Sequence, residues 1–452
     1  MRESDLAQSI RSFQNLLIRK TVLHAAENSS FYGSHLKGKA QEVFHIQDLT
    51  LLPVVTKSHM RSQIYSDLLT SEKKAFVTQH TSGTTDKPFY VYRSECEVRF
   101  IQEYFKGHME DLNRGNFSIS AFQPSYHGAG ISMPMTGQYR NFNLVDGDNR
   151  QNEVTKMAKF LTGDQENPII ITGIFQHIRY LTHSLIELGT PLERLPIAGI
   201  YVTGQYVSER WRTLLETTWD SKVVPRFSLT EGFGGALYCD QCGGYHFDQF
   251  CIAEALDPSC GEPIDVGIGI LHLTSLFPFV QLMPFIRYQT GDIVEIFESE
   301  CSEHVGRSFR FLGRMDHAQI LETNEFGKLV VASAHLNDVL EKHSFVNVGN
   351  STDKVLQTVS GSPCFRIRVE KNVQSQIIVD VELRAPTWIW NSELENFRAI
   401  LHSELRASNP LLVSRLSKCD IKLDFNFLSP GSLGPLEPGS IPESSAHEYI
   451  SI

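Results

Sequence analysis

No apolar run in this chain approaches the length of a membrane span. The greasiest stretch, residues 268–280, is broken by Gly, His, Thr, Ser and Pro. The start, Met1-Arg2-Glu3-Ser4-Asp5, carries acids and leads into no apolar h-region, which predicts no signal peptide and a cytoplasmic protein. Basic residues are outnumbered, 41 Lys and Arg against 52 Asp and Glu, and they are scattered. With a net charge of −11, the balance points away from nucleic acid. Internal repeats and low-complexity tracts are absent. So is the G-x-x-x-x-G-K spacing, which excludes an ordinary P-loop kinase. The eight cysteines, in a reducing compartment, predict no disulfide framework. Their distribution is uneven, because Cys239, Cys242, Cys251 and Cys260 fall close together.

What is present suits a soluble globular chain. Its 452 residues are enough for two or three domains, and 41% hydrophobic with 21% charged content is ordinary. Apolar positions at helical spacing predict one or two helices over 5–27, and further helices over 57–68, 94–111, 175–188 and 209–217. Short apolar runs predict strands at 74–78, 89–92, 117–122, 168–172, 197–203 and 222–225. This alternation argues for an α/β fold with a doubly wound sheet, whose ligands bind beyond the carboxyl ends of strands. From about 247 to 313 short alternating segments predict a smaller β-rich subdomain. Residues 314–452 predict a compact α+β unit, with helices at 332–342 and 392–406, strands at 365–370 and 377–383, and a Pro-, Gly- and Ser-rich tail.

One loop draws attention. Thr81-Ser82-Gly83-Thr84-Thr85-Asp86-Lys87-Pro88 sets four hydroxyls, a glycine and a lysine between two strands. Backbone N–H groups, hydroxyls and an ammonium can converge there on phosphate. An ordinary hairpin turn has the same composition. Three further segments follow in order: Phe227-Ser228-Leu229-Thr230-Glu231-Gly232, Arg287-Tyr288-Gln289-Thr290-Gly291-Asp292 and Gly313-Arg314-Met315-Asp316. Together they resemble the signature of the adenylate-forming (acyl-CoA synthetase) superfamily, in its phenylacetate–CoA ligase-like branch. The resemblance begins near Asn28-Ser29-Ser30-Phe31-Tyr32 and Leu52-Pro53-Val54-Val55-Thr56-Lys57, and weakens after Asp316.

The resemblance implies a large N-terminal adenylation domain, 1–313, and a mobile C-terminal domain, 314–452. It implies that ATP and Mg²⁺ activate a carboxylic acid as acyl-adenylate, with release of pyrophosphate. Transfer to CoA would follow, or transfer to an amine or a carrier protein; a non-catalytic acid- or nucleotide-binding relic is the alternative of another class. The acid implied is aryl or another compact hydrophobic one. Thr81, Ser82, Gly83, Thr84, Thr85 and Lys87 would hold the phosphates and Glu231 would bind Mg²⁺. Phe227 would stack on adenine, with Thr203, Gly204, Ser228 and Thr230 beside the nucleotide. Asp292 would accept from the ribose hydroxyls, Arg314 would touch ribose or phosphate, and Asp316 would be the hinge. Tyr126, His127 and Gly128 would line the acid pocket. His447 stands where the branch carries a phosphate-bridging lysine; a neutral, shorter histidine changes that role, and Lys418 and Lys422 lie nearby. Phe227 and Ser228 replace the usual Tyr-Gly, and Asp86 replaces a glycine.

Cys239-Asp240-Gln241-Cys242-Gly243-Gly244-Tyr245-His246 has the C-x₂-C-x₃-H spacing, and Cys301 lies in the β-rich part. Members of the branch carry zinc on these two segments. Cys239, Cys242, His246 and Cys301 would complete a closed, structural tetrahedral site, with Cys251 and His304 as alternative ligands.

Overall fold

The chain is described by a computed structural model at residues 3–70, 74–81, 89–113, 118–122, 139–141, 150–163, 167–204, 206–298, 301, 307–323, 327–349, 362–371, 375–390, 392–433 and 450–451. Alternating strand and helix builds its first half. Strands β1 (Val77–His80) and β2 (Tyr90–Arg93) form an antiparallel hairpin that carries the Thr81 loop. Strands β3 (Ser118–Phe122), β4 (Tyr139–Asn141), β5 (Ile169–Ile174), β6 (Ile197–Thr203) and β7 (Val223–Ser228) lie parallel. Parallel neighbours need crossovers, and helices Phe175–Glu187 and Glu209–Trp219 supply two of them. The near-continuous apolar run of β5 is buried, as a strand covered on both faces must be. Ile178, Leu181, Leu185, Leu215 and Trp219 close one face over Ile169, Ile171, Ile200 and Val202.

The same sheet then changes sense. Strands β8 (Gly235–Cys239), β9 (Gly244–Phe247), β10 (Cys251–Leu256), β11 (Gly267–Ser275), β12 (Tyr288–Phe297) and β13 (Ser308–Arg314) extend it antiparallel from β7. Among the described residues the sheet has 11 strands in the order β10-β11-β12-β13-β9-β8-β7-β6-β5-β3-β4. The antiparallel part begins at Gly235, ahead of the 247 read from sequence, because β8 and β9 pair as a hairpin around the Cys242–Gly243 turn. Glu231 lies between β7 and β8, where the sheet passes from parallel to antiparallel.

The N-terminal segment covers the far part of this sheet. One helix spans Glu3–Asn28, and Leu17, Ile18, Tyr32, Leu36 and Val55 bury themselves with Phe89, Val91, Phe285, Ile286 and Tyr288. The single helix expected over 57–68 is two short ones, Lys57–Arg61 and Tyr65–Leu68. Ile64 adopts extended backbone between them. That turn delivers Tyr65 onto the rings of Phe89, Tyr90 and Tyr92, with centroids 5.3–6.2 Å away.

After β13 the chain forms a hairpin, Gln319–Thr323 with Gly327–Val331. A three-stranded sheet follows: Phe365–Lys371, Ser375–Glu382 and Lys422–Leu428. Helices Leu394–Ser408 and Pro410–Lys418 make the crossover between its two parallel strands, and Phe397, Leu401, Leu405, Leu412 and Leu416 bury against Ile377, Val379, Phe425 and Phe427. Helix Ser333–Leu340 abuts the large sheet. There Tyr206 donates its hydroxyl to Asp338 at 2.8 Å, and Arg210 donates to the Glu341 carbonyl at 2.5 Å. Gly313 has φ +116°, and a Cβ on it would lie 2.3 Å from the Ser333 hydroxyl, so only glycine fits that junction.

Candidate active site

The ends of β6 and β7, the β7–β8 loop, the start of β12 and the end of β13 meet at one place. At the strand ends, the hydroxyls of Thr203 and Ser228 are 2.8 Å apart. Gly204 follows with φ +82°, on the exposed rim. Phe227 stacks face to face on Phe311, with centroids 3.9 Å apart and planes 13° apart. One face of the ring expected to take adenine is therefore covered, leaving at most the other.

Glu231 is buried, 6% exposed, and among the described residues both of its side-chain contacts fall on Oε1. Tyr288 donates its phenol at 3.0 Å, and Lys57 brings its ammonium to 3.0 Å. Burial, and then the Glu231 charge, push the Tyr288 hydroxyl well above its ordinary range, so it stays a donor. Tyr288 reaches this place because β12 starts there, with Gln289 donating to the Val55 carbonyl at 2.8 Å and Val55 donating to Arg287 at 3.1 Å. Those two bonds also bring Lys57 to the site. Behind the carboxylate, Arg93 of β2 points its Nη2 at the carbonyls of Thr230, Glu231 and Gly232, at 3.3, 3.0 and 3.4 Å.

Asp292 is also buried. Its Oδ1 accepts from Arg314 Nη1 at 3.0 Å, and its amide donates to the Thr290 hydroxyl at 3.1 Å. Arg314 also donates to the Thr290 carbonyl at 2.9 Å. Asp292 Oδ2 is buried with no partner among the described residues. Burial raises the Asp292 carboxyl above its ordinary value, with Arg314 pulling the other way and the Glu231 charge adding to the rise. Burial would lower the Arg314 guanidinium, but Asp292, joined by Asp316 and Glu231, outweighs it and the net shift is upward. Gly291, at φ +78°, lets the guanidinium lie close: a Cβ there would be 2.9 Å from Arg314 Nη2. Asp316 falls in the 3₁₀ turn Met315–His317, directly after β13.

These residues fit the groups that the sequence implies. An orphaned carboxylate oxygen beside an arginine suits a diol that donates two hydrogen bonds. The Glu231 oxygen opposite Lys57 and Tyr288 suits a hard divalent cation. Thr81 is buried at the root of its loop, where the Phe89 amide donates to its hydroxyl at 3.2 Å. Ser82, Gly83, Thr84, Thr85, Asp86 and Lys87 lie outside the described residues, as do Tyr126, His127, Gly128, His304 and His447. Three groups here escaped the sequence reading as site residues: Lys57, Arg93 and Tyr288. Lys57 and Tyr288 stand inside the family-like segments Leu52–Lys57 and Arg287–Asp292 but received no role there, and Arg93 shows only as a charge closing the strand Tyr90-Val91-Tyr92.

On the other end of β8 the metal-type cluster assembles. The ligand atoms of Cys239, Cys242, His246 and Cys301 all lie within 4.8 Å of one another. Cys239 Sγ and Cys301 Sγ are 3.6 Å apart, and Cys242 Sγ is 3.1 Å from His246 Nε2. A tetrahedral zinc with bonds of about 2.3 Å to sulfur sets its sulfurs about 3.8 Å apart, close to this geometry. Gly243, at φ +68°, makes the turn between Cys242 and β9, and its amide donates to the Cys239 carbonyl at 2.9 Å. Burial pushes the Cys239 thiol up to about 12, a cost that a divalent cation among the four atoms would reverse.

No protein-family model matches the sequence, and no curated protein does. Solved structures do resemble the fold. The chain is similar to 2-hydroxyisobutyryl-CoA ligase in an open conformation, in complex with 2-HIB-AMP and CoA: TM-score 0.71, 14% identity, 100% of this chain and 93% of that one. In its postadenylation state with 2-HIB-AMP the same ligase gives a TM-score of 0.69 at 15% identity, over 100% and 90% of the two chains. Its thioesterification state, with 2-HIB-AMP and CoA, gives 0.60 at 15% identity over the same shares. The alignment runs the length of this chain, from the N-terminal helix through the C-terminal α+β unit, and the chain accordingly has the fold of an adenylate-forming acid–CoA ligase.

Proposed function

We propose that this chain is an ATP-dependent ligase that joins a carboxylic acid to the α-phosphate of ATP, releases pyrophosphate and passes the acyl group to CoA. One observation carries the reading: Asp292 is held by Arg314 through one oxygen, while its other oxygen is buried without a partner among the described residues, beside Glu231. A carboxylate is not kept this way for stability, since burial without full pairing costs free energy. It is ready to accept from a ligand's hydroxyls.

Asp292 would hold the ribose, and Arg314 would orient Asp292 and face the phosphates. Glu231 would hold Mg²⁺, which when bound neutralises triphosphate charge. Tyr288 and Lys57 fix the Glu231 carboxylate from one side. Thr203 and Ser228 would flank the nucleotide, with the face of Phe227 opposite Phe311 toward adenine. The Thr81–Lys87 loop would hold the β- and γ-phosphates, and Tyr126, His127 and Gly128 would line the acid pocket. The reading places the chain in the phenylacetate–CoA ligase-like branch, with a compact hydrophobic or aryl acid as substrate, a domain boundary near Asp316, and a structural zinc on Cys239, Cys242, His246 and Cys301.

Pyrophosphate exchange tests it. Purified chain, ATP, Mg²⁺ and labelled pyrophosphate are incubated with a panel of aryl, branched and hydroxylated acids. Acid-dependent label in ATP is expected; no exchange with any acid, together with no ATP binding, refutes it. Adding CoA to an active acid then separates CoA transfer from other acceptors.

A further inference from the structure

We propose that Arg93 is a positioning residue, which sets the backbone under Glu231 and so determines how well that carboxylate holds the nucleotide's divalent cation. The proposal rests on the adenylation reading and names a part of the site that its motifs do not contain.

The β7–β8 loop has no ladder of its own. β7 ends at Ser228 and β8 begins at Gly235, so the carbonyls of residues 230–232 fall between two strands. Buried carbonyls need donors. Among the described residues Arg93 is the donor they meet, and the shortest of its three contacts, 3.0 Å, is to Glu231 itself. Arg93 is 2% exposed. Its guanidinium lies 5.2 Å from the centre of the Phe233 ring and 5.9 Å from that of Phe285. Burial lowers its pKa, while Glu97 and then Glu231 favour its charge, so it remains a cation.

Glu97 is itself fixed. It is 1% exposed, and its Oε1 accepts from the amides of Gln281 and Leu282 at 2.7 and 3.1 Å, while the Ser94 amide donates to Oε2. Glu97 thus supplies a fixed negative charge near the cation without bonding to it, and the cation grips the loop through Nη2. The Glu231 carboxylate is held at its tip by Tyr288 and Lys57, and its backbone is held by Arg93. Arg93 reaches the site only through the backbone carbonyls of this loop, so its effect must run through the placement of Thr230 and Glu231. A lysine there keeps the charge but offers a single point in place of a planar fork.

The experiment uses the full chain as wild type, Arg93→Lys, Glu231→Gln and the double variant. Two readouts are taken: pyrophosphate exchange, and ATP affinity by calorimetry with and without Mg²⁺. Arg93→Lys should lower exchange by about 10- to 100-fold, the scale of a misplaced group of about 1 Å. It should also remove most of the gain in ATP affinity that Mg²⁺ gives the wild type, with metal-free affinity unchanged. In the Glu231→Gln background the same substitution should change exchange by less than about threefold, because coupled residues do not add. An equal loss in both backgrounds overturns the proposal, as does an Arg93→Lys enzyme with wild-type Mg²⁺ response. If Arg93→Lys does not fold, Arg93→Gln, which keeps a planar N–H donor at the cost of the charge, carries the comparison. Failure of both to fold overturns the proposal in favour of a scaffold role. A wild type that neither exchanges pyrophosphate nor binds ATP overturns the adenylation reading, and this role with it; an active wild type with unaffected variants overturns the role alone.

Discussion

Asp292→Asn separates what the site costs from what it does. The substitution keeps the size and the Oδ1 acceptor for Arg314, and removes a charge from a buried position. Burial raises the wild-type carboxyl above its ordinary value near 3.8. The folded chain therefore holds that proton more tightly than the unfolded chain. The contribution to stability is present at pH below the unfolded value, and it is lost as pH rises through the raised folded value. At neutral pH the wild type bears that cost and Asn does not. Arg314 is half-exposed, so water compensates most of its loss of an ionised partner. The melting temperature at pH 7 should stay level or rise by about 2–4 °C, roughly what 1 kcal/mol gives a domain of 150–250 residues. Nucleotide binding should move the other way. Hydrogen bonds to a charged group are worth about 1.5–3 kcal/mol, or roughly 10- to 150-fold in affinity. Calorimetry with ATP, and a melting series from about pH 4 to 8, read both quantities. The variant's stability advantage should shrink toward the acid end, where the wild-type carboxyl is protonated. Unchanged ATP affinity, or a melting temperature more than about 5 °C lower, would show that Asp292 is structural.

Glu231→Gln should cut Mg²⁺-dependent exchange by about 100-fold or more while leaving the melting temperature within a few degrees; normal Mg²⁺ dependence would remove Glu231 from its role. Protein purified without added metal should contain about one zinc per chain, and Cys239→Ser should lose the metal and melt lower, because binding to a closed site is coupled to folding. Metal-free protein with unchanged melting would refute that site. If His447 supplies the bridging cation, exchange should rise as pH falls toward about 6.5, His447→Ala should abolish the rise, and His447→Lys should flatten it. An unaltered profile in His447→Ala would turn attention to Lys418 and Lys422.

Much of the α/β core was legible because its signals are local. The apolar run of β5 and the spaced helix after it carry their own periodicity. Ile197–Thr203 was readable to the residue. Leu423, Phe425 and Phe427 alternate as plainly, yet the strand Lys422–Leu428 is missed when its charged start, Lys422 and Asp424, is read only as a place for lysines. The helix over Pro410–Lys418 is short and begins at a proline directly after another helix, so it reads as a break when it is a restart. The site was legible as segments and illegible as contacts. Glu231 and Asp292 were visible in their motifs, but Lys57 meets Glu231 from far upstream, and Phe311 covers Phe227 from β13, far downstream in sequence. The cysteine spacing around His246 was an exception: three of the four grouped side chains are neighbours in sequence, so local turn geometry nearly suffices.

The grip of Arg93 on carbonyls 137–139 residues downstream bears on how the protein is made. At about 5–20 residues per second, a ribosome takes on the order of 7 to 28 seconds to supply those carbonyls after Arg93 emerges. During that interval the hairpin holds a cation whose final surroundings do not yet exist. Nascent chains arrested before residue 232 should therefore keep β2 open to protease, and chains arrested well beyond residue 288, once Phe285 has also emerged, should protect it. Any attempt to express the first half alone would meet the same vacancy as a solubility problem, and supplying residues 230–290 as a separate fragment should relieve it.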